Sequence, residues 1–371
     1  MDKISKANVL VEPGKFEMKE YPILEPVKDG AVIKVVATGI CGTDVHIFNG
    51  QCPGKELYPS ILGHEVVGKI VKKGSDLFED SQGMPLSEGD HVFVAPAVSC
   101  NTCYKCSVAE ISSRCSNKKA YGFNVNPDLE PHLTGGYADY MQVFIPNTLL
   151  LKFNCEPKAV AVLEPLSVAL HALEKAAINL GEVVVIQGSG PIGILAAIGA
   201  KKMGASKVIV IGAPKGRLEL AASLGADITI NIDDIKDRQK RIGLVKEYTP
   251  NNLGPDVVIE CAGVPSAVSE GLEILRDGGR FVEIGNFTDN GEVEINPFKH
   301  IVAKSSTIYG AWGSYPKHFV RGLRMIEAEP ELYENLVTHE VKLEQVEEVM
   351  EALTSKFYYE GRDVLKAIVK P

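Results

Sequence analysis

Nowhere in this 371-residue chain do basic residues collect into a run, and the formal net charge of −9 argues against a nucleic-acid-binding surface. The opening Met1-Asp-Lys-Ile-Ser-Lys-Ala-Asn8 lacks the apolar core of a secretory leader. The apolar stretch from Val183 to Ala200 is broken by Gln187, Ser189, Pro191 and four glycines, so it does not read as a membrane span. Internal repeats and low-complexity tracts are absent as well. What remains, 45% apolar and 23% charged residues, is the composition of a globular protein with no membrane or nucleic-acid partner, expected in the cytoplasm. A chain of this length exceeds one ordinary core, so two domains are expected.

Another absence is local. The apolar run Val183-Val-Val-Ile-Gln187 leads into Gly188-Ser-Gly190-Pro191-Ile192-Gly193 and then a stretch of helical character, the strand–turn–helix context in which G-x-G-x-x-G binds a dinucleotide. Gly188 permits the turn, Gly190 lets backbone approach a pyrophosphate, and Gly193 lets helix and strand pack closely, while the helix start offers unpaired N–H donors. The next strand, Lys207 to Ile211, ends where such a site places an acid for the ribose hydroxyls, yet position 212 is glycine. Without that carboxylate NADP is expected to serve at least as well as NAD. Lys215 and Arg217 either meet its 2′-phosphate or are solvated residues at a helix start.

Metal-ligand chemistry is concentrated in two places. Cys41, in Gly-Ile-Cys41-Gly-Thr43-Asp44-Val-His46, together with His64 and Glu65 offers the thiolate, imidazole and carboxylate of an open zinc site. In an ideal strand His64 and Glu65 would face opposite ways, so either the backbone turns there or one of them acts behind the ligands. Glu164, a lone acid in Val162-Leu-Glu-Pro-Leu-Ser-Val-Ala-Leu-His171, is a further ligand candidate or the first-turn acid of a helix. Cys100, Cys103, Cys106 and Cys115 fall within 16 residues and read as a closed structural zinc site rather than disulfides. Cys52, Cys155 and Cys261 have no clustered partner and read as small buried hydrophobes.

Together these residues closely resemble the zinc-dependent medium-chain dehydrogenases, over nearly the whole chain from Gly39 to the Lys366-Ala-Ile-Val-Lys370 ending, and Leu-Glu164-Pro-Leu-Ser resembles the polyol (sorbitol-type) branch. The resemblance implies an α/β protein with a GroES-like β-rich catalytic domain, residues 1–164 and 309–371, and a doubly wound Rossmann domain, 165–308, with the active site in the cleft between them. It also implies that Cys41, His64 and Glu65 bind zinc, with Glu164 either a ligand or a partner of the water on it, that Asp44 supports His64, and that Thr43 and His46 relay a proton. Zinc acidifies a hydroxyl, and a threonine hydroxyl followed by a histidine can carry its proton to water. One feature departs from the family: the spacing before Cys115 is one residue longer.

The expected activity is hydride transfer between NAD(P) and a polyol or other secondary alcohol. Its alternatives are a primary-alcohol dehydrogenase or aldehyde reductase and, further off, a non-catalytic zinc- and dinucleotide-binding protein. A homo-oligomer, dimer or tetramer, is expected. Residues 76–89 and 123–135 read as longer surface loops of unknown role.

Overall fold

The computed structural model describes residues 3–52, 58–123 and 125–371. The chain divides into two compact units, Met1–Glu164 with Tyr315–Pro371, and Pro165–Ser314.

In the first unit a seven-stranded sheet is built around Ala31–Gly39, a strand buried along most of its length. It pairs antiparallel with Glu65–Lys73, with Tyr140–Val143 and with the C-terminal strand Lys366–Val369. One apolar cluster gathers Ile33, Ile70, Val92, Val94 and Leu150; another gathers Val9, Ile61, Leu62, Tyr137, Val346 and Met350. Register places Gly39 directly opposite both Glu65 and Ile368. A Cβ on Gly39 would overlap the Glu65 carboxylate and crowd the Lys366 side chain, so glycine opens the space in which those two charged groups meet.

Both expected loops are tied down. In 76–89 the buried Asp80 accepts from Gln82 N, Met84 N and Lys152 N at 2.8–2.9 Å, and Leu86 is buried. In 123–135, of which Asn124 lies outside the described residues, Leu133 is buried and Phe123 stacks on the His64 ring at 4.5 Å.

The second unit is a six-stranded parallel sheet in the order Ile228–Asn231, Lys207–Gly212, Val183–Gln187, Val257–Glu260, Arg280–Glu283, Thr307–Gly310. This is the doubly wound arrangement, and its central strands are buried on both faces, which is why they read as unbroken Val/Ile runs. The strands Val183–Gln187 and Lys207–Gly212 match the apolar runs read from the sequence to within a residue. The sixth, Thr307–Gly310, is exposed throughout, as an edge strand can be, and carries no burial pattern to mark it. The return to the first unit, expected at 309, therefore falls inside a strand and comes after Ser314 instead. Among the described residues no helix is long and apolar enough to cross a membrane.

Candidate active site

Cys41 caps the short helix Gly42–Phe48, whose first turn folds Asp44 back so that its carboxylate accepts from the Cys41 N–H at 2.9 Å. Gly63, at φ +84, turns the chain just before the strand that begins at Glu65, and this local turn resolves the facing problem of the adjacent pair. The ligating atoms of Cys41, His64 and Glu65 lie within 4.8 Å of one another. Asp44, fully buried, takes the His64 Nδ1 at 3.2 Å and a hydrogen bond from the Tyr137 hydroxyl at 3.1 Å. The ring is thus fixed with Nε2 left as its ligating nitrogen, the arrangement in which a carboxylate orients a metal-bound histidine. Burial alone would discharge His64, yet Asp44 and Cys41 outweigh it and favour the charged ring.

Glu65 is fully buried, with Oε1 lacking any hydrogen-bond partner and Oε2 in an ion pair with Lys366, itself buried. A carboxylate half provided for in a closed space is what a cation would complete, and the thiolate, imidazole and carboxylate set fits zinc. Lys366 and Tyr137 were not visible as site residues in the sequence; a lone lysine inside Val364-Leu-Lys-Ala-Ile-Val was the one signal available for the first. Glu164, at the start of the helix Leu163–Ala176, is not part of the three-residue cluster. Burial pushes its carboxyl up to about 7, with Glu65 adding to the shift and His64 and Lys366 opposing it. Thr43 Oγ1 lies 3.7 Å from Cys41 Sγ, and His46, half-buried, holds Gln51 Oε1 at 2.9 Å through Nδ1.

The four remaining predicted ligands also converge. Cys103 Sγ lies 3.5 Å from Cys106 Sγ and 3.9 Å from Cys115 Sγ, and Cys115 Sγ lies 3.5 Å from Cys100 Sγ. Zinc–sulfur bonds of about 2.3 Å in a tetrahedron require sulfur separations of roughly 3.8 Å, whereas a disulfide needs about 2.05 Å, so the spacing suits the metal. Backbone N–H groups of Cys100 and Asn117 point at Cys115 Sγ, both at 3.3 Å, as they would toward a thiolate. Between Cys106 and Cys115 the chain passes through Glu110 at positive φ and the single turn Ser112–Arg114. Cys52, Cys155 and Cys261 are half-buried rather than sequestered, with burial raising each thiol, that of Cys155 to about 11.

In the second unit each glycine of the turn has its own physical reason. Gly188 sits at φ +108, where a Cβ would strike the backbone of Cys261 and Ala262; a Cβ on Gly193 would lie 2.0 Å from Gly188 O; around Gly190 there is open space. Pro191 opens the helix Pro191–Lys202, followed by Ile192 in its first turn. Gly212 is different from expectation. A Cβ there would lie 2.5 Å from Ser189 Oγ, which itself donates to Ala213 O at 2.8 Å, so the position is filled by Ser189 and is not a vacant seat for an acid. Lys215, at the start of Lys215–Ser223, is exposed and 3.4 Å from Glu219, whereas Arg217 is buried, which rules out the solvated alternative for that residue.

Comparison with known proteins joins the two halves. Residues 27–154 match the alcohol dehydrogenase GroES-like domain and residues 191–328 the zinc-binding dehydrogenase family. A 5-exo-hydroxycamphor dehydrogenase of Pseudomonas putida is 31% identical over 94% of this chain and 95% of its own length. A sorbitol dehydrogenase of Bacillus subtilis is 31% identical over 99% and 97%. The chain belongs to the zinc-dependent medium-chain dehydrogenases, in their sorbitol-type branch. An alcohol dehydrogenase of Thermotoga maritima superposes with a TM-score of 0.91 at 30% identity, covering 99% of both chains. This dehydrogenase is therefore an oxidoreductase of a zinc-binding family, with two side-chain clusters that could hold the metal.

The Glu65–Lys366 pair gives a direct expectation for the dehydrogenase. Lys366→Met leaves Glu65 as an uncompensated buried charge, a loss of about 3–5 kcal/mol when one partner of such a pair is removed. The zinc-stripped variant should melt well below the stripped parent, and zinc should restore more of the loss than in the parent. Equal melting of the two stripped proteins would show that Lys366 does not neutralise Glu65.

Proposed function

We propose that this dehydrogenase interconverts a polyol or other secondary alcohol and its ketone, with hydride passing to or from NAD(P). The observation that carries the reading is the cluster of half-buried Cys41 with buried His64 and Glu65, His64 being fixed by Asp44, in a chain whose other unit holds the glycine turn. Relatives named for sorbitol and for a hydroxycamphor support an alcohol substrate.

Cys41, His64 and Glu65 would hold the catalytic zinc, which acidifies a hydroxyl while the nicotinamide accepts hydride. Asp44 and Tyr137 keep the His64 ring in one orientation. Glu164, whose carboxyl burial raises to about 7, either joins the ligands or exchanges a proton beside them. Thr43 Oγ1, beside Cys41, would take the substrate proton, and His46, tethered to Gln51, would pass it to water. Cys100, Cys103, Cys106 and Cys115 would hold the second zinc. Steady-state turnover over secondary polyols, simple secondary alcohols and primary alcohols tests the substrate class. Preference for secondary carbinols is expected, and turnover confined to primary alcohols or aldehydes would favour the reductase reading.

Gly188, Gly190, Pro191, Ile192 and Gly193 would seat the pyrophosphate. With Gly212 pressed against Ser189 and no carboxylate there to repel a 2′-phosphate, NADP should be used at least as well as NAD, Lys215 being the exposed cation nearest in sequence. Gly212→Asp alone should weaken both cofactors, because the new Cβ collides with Ser189. Combined with Ser189→Gly, which removes the side-chain overlap and leaves only the residue-189 nitrogen at 2.8 Å, it should shift preference toward NAD by about 1–3 kcal/mol, the range for opposing a charge-assisted contact. kcat/KM with each cofactor decides, and a parent strongly selective for NAD would overturn this reading.

The thiols and the edge strand support two further assignments. Eight free cysteines, four of them packed without bonding, suit a reducing compartment, the cytoplasm. The strand Thr307–Gly310 exposes Ile308 and Tyr309 along an unpaired edge, with Trp312 exposed just beyond it, which supports a homo-oligomer, a dimer or a tetramer. Light scattering in solution would check it.

A further inference from the structure

In the second unit, two acids stand side by side inside the protein. Glu260 ends the strand Val257–Glu260 and Glu283 ends the neighbouring parallel strand Arg280–Glu283, the two residues being direct register partners. Parallel strands in register present such partners on the same face. Glu260 is fully buried, and each carboxyl is half provided for. Glu260 Oε1 accepts from Ala262 N at 2.7 Å and Gly263 N at 3.0 Å, and Glu283 Oε1 accepts from both nitrogens of Asn286, at 2.9 Å and 3.1 Å. The two Oε2 atoms are buried and have no donor. Glu283 is nevertheless within side-chain hydrogen-bonding reach of Glu260. Two neighbouring carboxylate oxygens with no donor among the described residues can be satisfied together by one shared proton. Gln187, the register partner of Glu260 on its other side, contributes another unpartnered oxygen, Oε1.

Among the described residues, neither Glu260 nor Glu283 forms an ion pair with a cation. On the helix Pro265–Ile274 that covers these strands, Glu270 is paired with Arg241 at 2.5 Å and Glu273 with Lys299 at 2.9 Å and Arg238 at 3.3 Å. Cys261 follows Glu260 in the loop, and its thiol is raised by burial and by both acids. Thr307–Gly310, beyond Glu283, carries no charged residue.

The loop that Glu260 holds is the one on which the glycine turn rests. The space where a Gly188 side chain would be is occupied by Cys261 and Ala262 backbone, and that beside Gly285 by Glu260 Oε2 and the Ala262 and Gly263 nitrogens. We propose that Glu260 and Glu283 share one proton, and that this acid–carboxylate pair is a positioning device that fixes the Cys261–Gly263 loop beneath the dinucleotide turn. Glu260 and Glu283 act through the loop and touch no substrate. The second half of the proposal rests on the dinucleotide reading of the turn; the first does not.

Burial, reinforced by Glu283, raises Glu260 from the ordinary 4.5 to about 8. Because the folded chain holds the proton more tightly than the unfolded one, the associated stability is present in full below the ordinary value and is lost as pH rises to about 8. The test uses the zinc-loaded protein and three forms: parent, Glu283→Gln and Glu260→Gln. Either amide can donate permanently where the shared proton sits while its oxygen keeps the existing backbone bonds. Infrared difference spectra at neutral pH should show a neutral carboxylic acid band in the parent that is missing from both variants. The Kd for NADH should rise severalfold in the parent as pH passes about 8 and stay level in Glu283→Gln. A missing difference band would overturn the shared proton whatever the cofactor does. A band accompanied by the same pH profile in parent and Glu283→Gln would overturn the positioning role alone, and a chain that binds neither NADH nor NADPH at any pH would instead indict the dinucleotide reading.

Discussion

His64→Ala and Cys41→Ser are expected to abolish turnover, and Thr43→Ala to lower it by roughly 10²-fold or more, the usual worth of a positioned proton-transfer group. The two ligand variants fail for a stated reason. Removing His64 takes away one of three donors and strands the buried Asp44 carboxylate, which keeps only the Cys41 N–H and the Tyr137 hydroxyl. Asp44→Asn should be milder, costing about 10–100-fold in metal affinity, since it loosens the ring without deleting a ligand. Thr43→Ala must keep its zinc, because the hydroxyl belongs to the proton path and not to the ligand set. His46→Ala should be milder still and partly restored by added imidazole. Metal content and kcat measured on the same preparations separate these cases. A Thr43→Ala enzyme that oxidises alcohol at the parental rate would remove the relay.

Cys103→Ser should lose one of two zinc ions per chain and much of its stability before chemistry is touched. Structural zinc in small closed thiolate sites contributes about 10–16 kcal/mol of apparent binding free energy, which in such sites is also folding energy. The lobe has little else to hold it: Tyr104, Val108 and Ile111 are exposed, and its helix Tyr104–Ser107 is a single turn with no buried residue. Removal of the metal should therefore unfold this segment locally, exposing it to protease, while the Rossmann sheet keeps its own transition. An intact melting curve with unchanged zinc would eliminate the structural assignment.

What could be read in advance was whatever the chain writes locally. Four cysteines within one short segment, a glycine turn between strand and helix, and unbroken Val/Ile runs each carry their meaning in adjacent residues. What could not be read depends on register across distance. Lys366 meets Glu65 because the last strand lies beside Ala31–Gly39, and Phe123 and Tyr137 reach the His64 surroundings from a distant loop. The role of Gly39 was hidden for the same reason, since only the pairing shows whose side chain it makes room for. Gly212 shows the limit of motif logic: a missing acid looked like an open position, whereas the turn's own Ser189 fills it. The edge strand Thr307–Gly310 was missed because exposure on all four residues erases the alternation that marks a strand.

The central claim, zinc-dependent hydride transfer at a secondary carbinol, is tested most directly with an alcohol deuterated at that carbon. The protein, a nicotinamide dinucleotide and the labelled alcohol are incubated, and the reduced cofactor is examined by mass spectrometry. Deuterium should appear in the nicotinamide together with an equal amount of ketone, disappear when the labile zinc is chelated, and return when zinc is added back. Label that stays out of the nicotinamide for every secondary alcohol tried, or that transfers equally well after the zinc at Cys41, His64 and Glu65 is gone, would contradict the account.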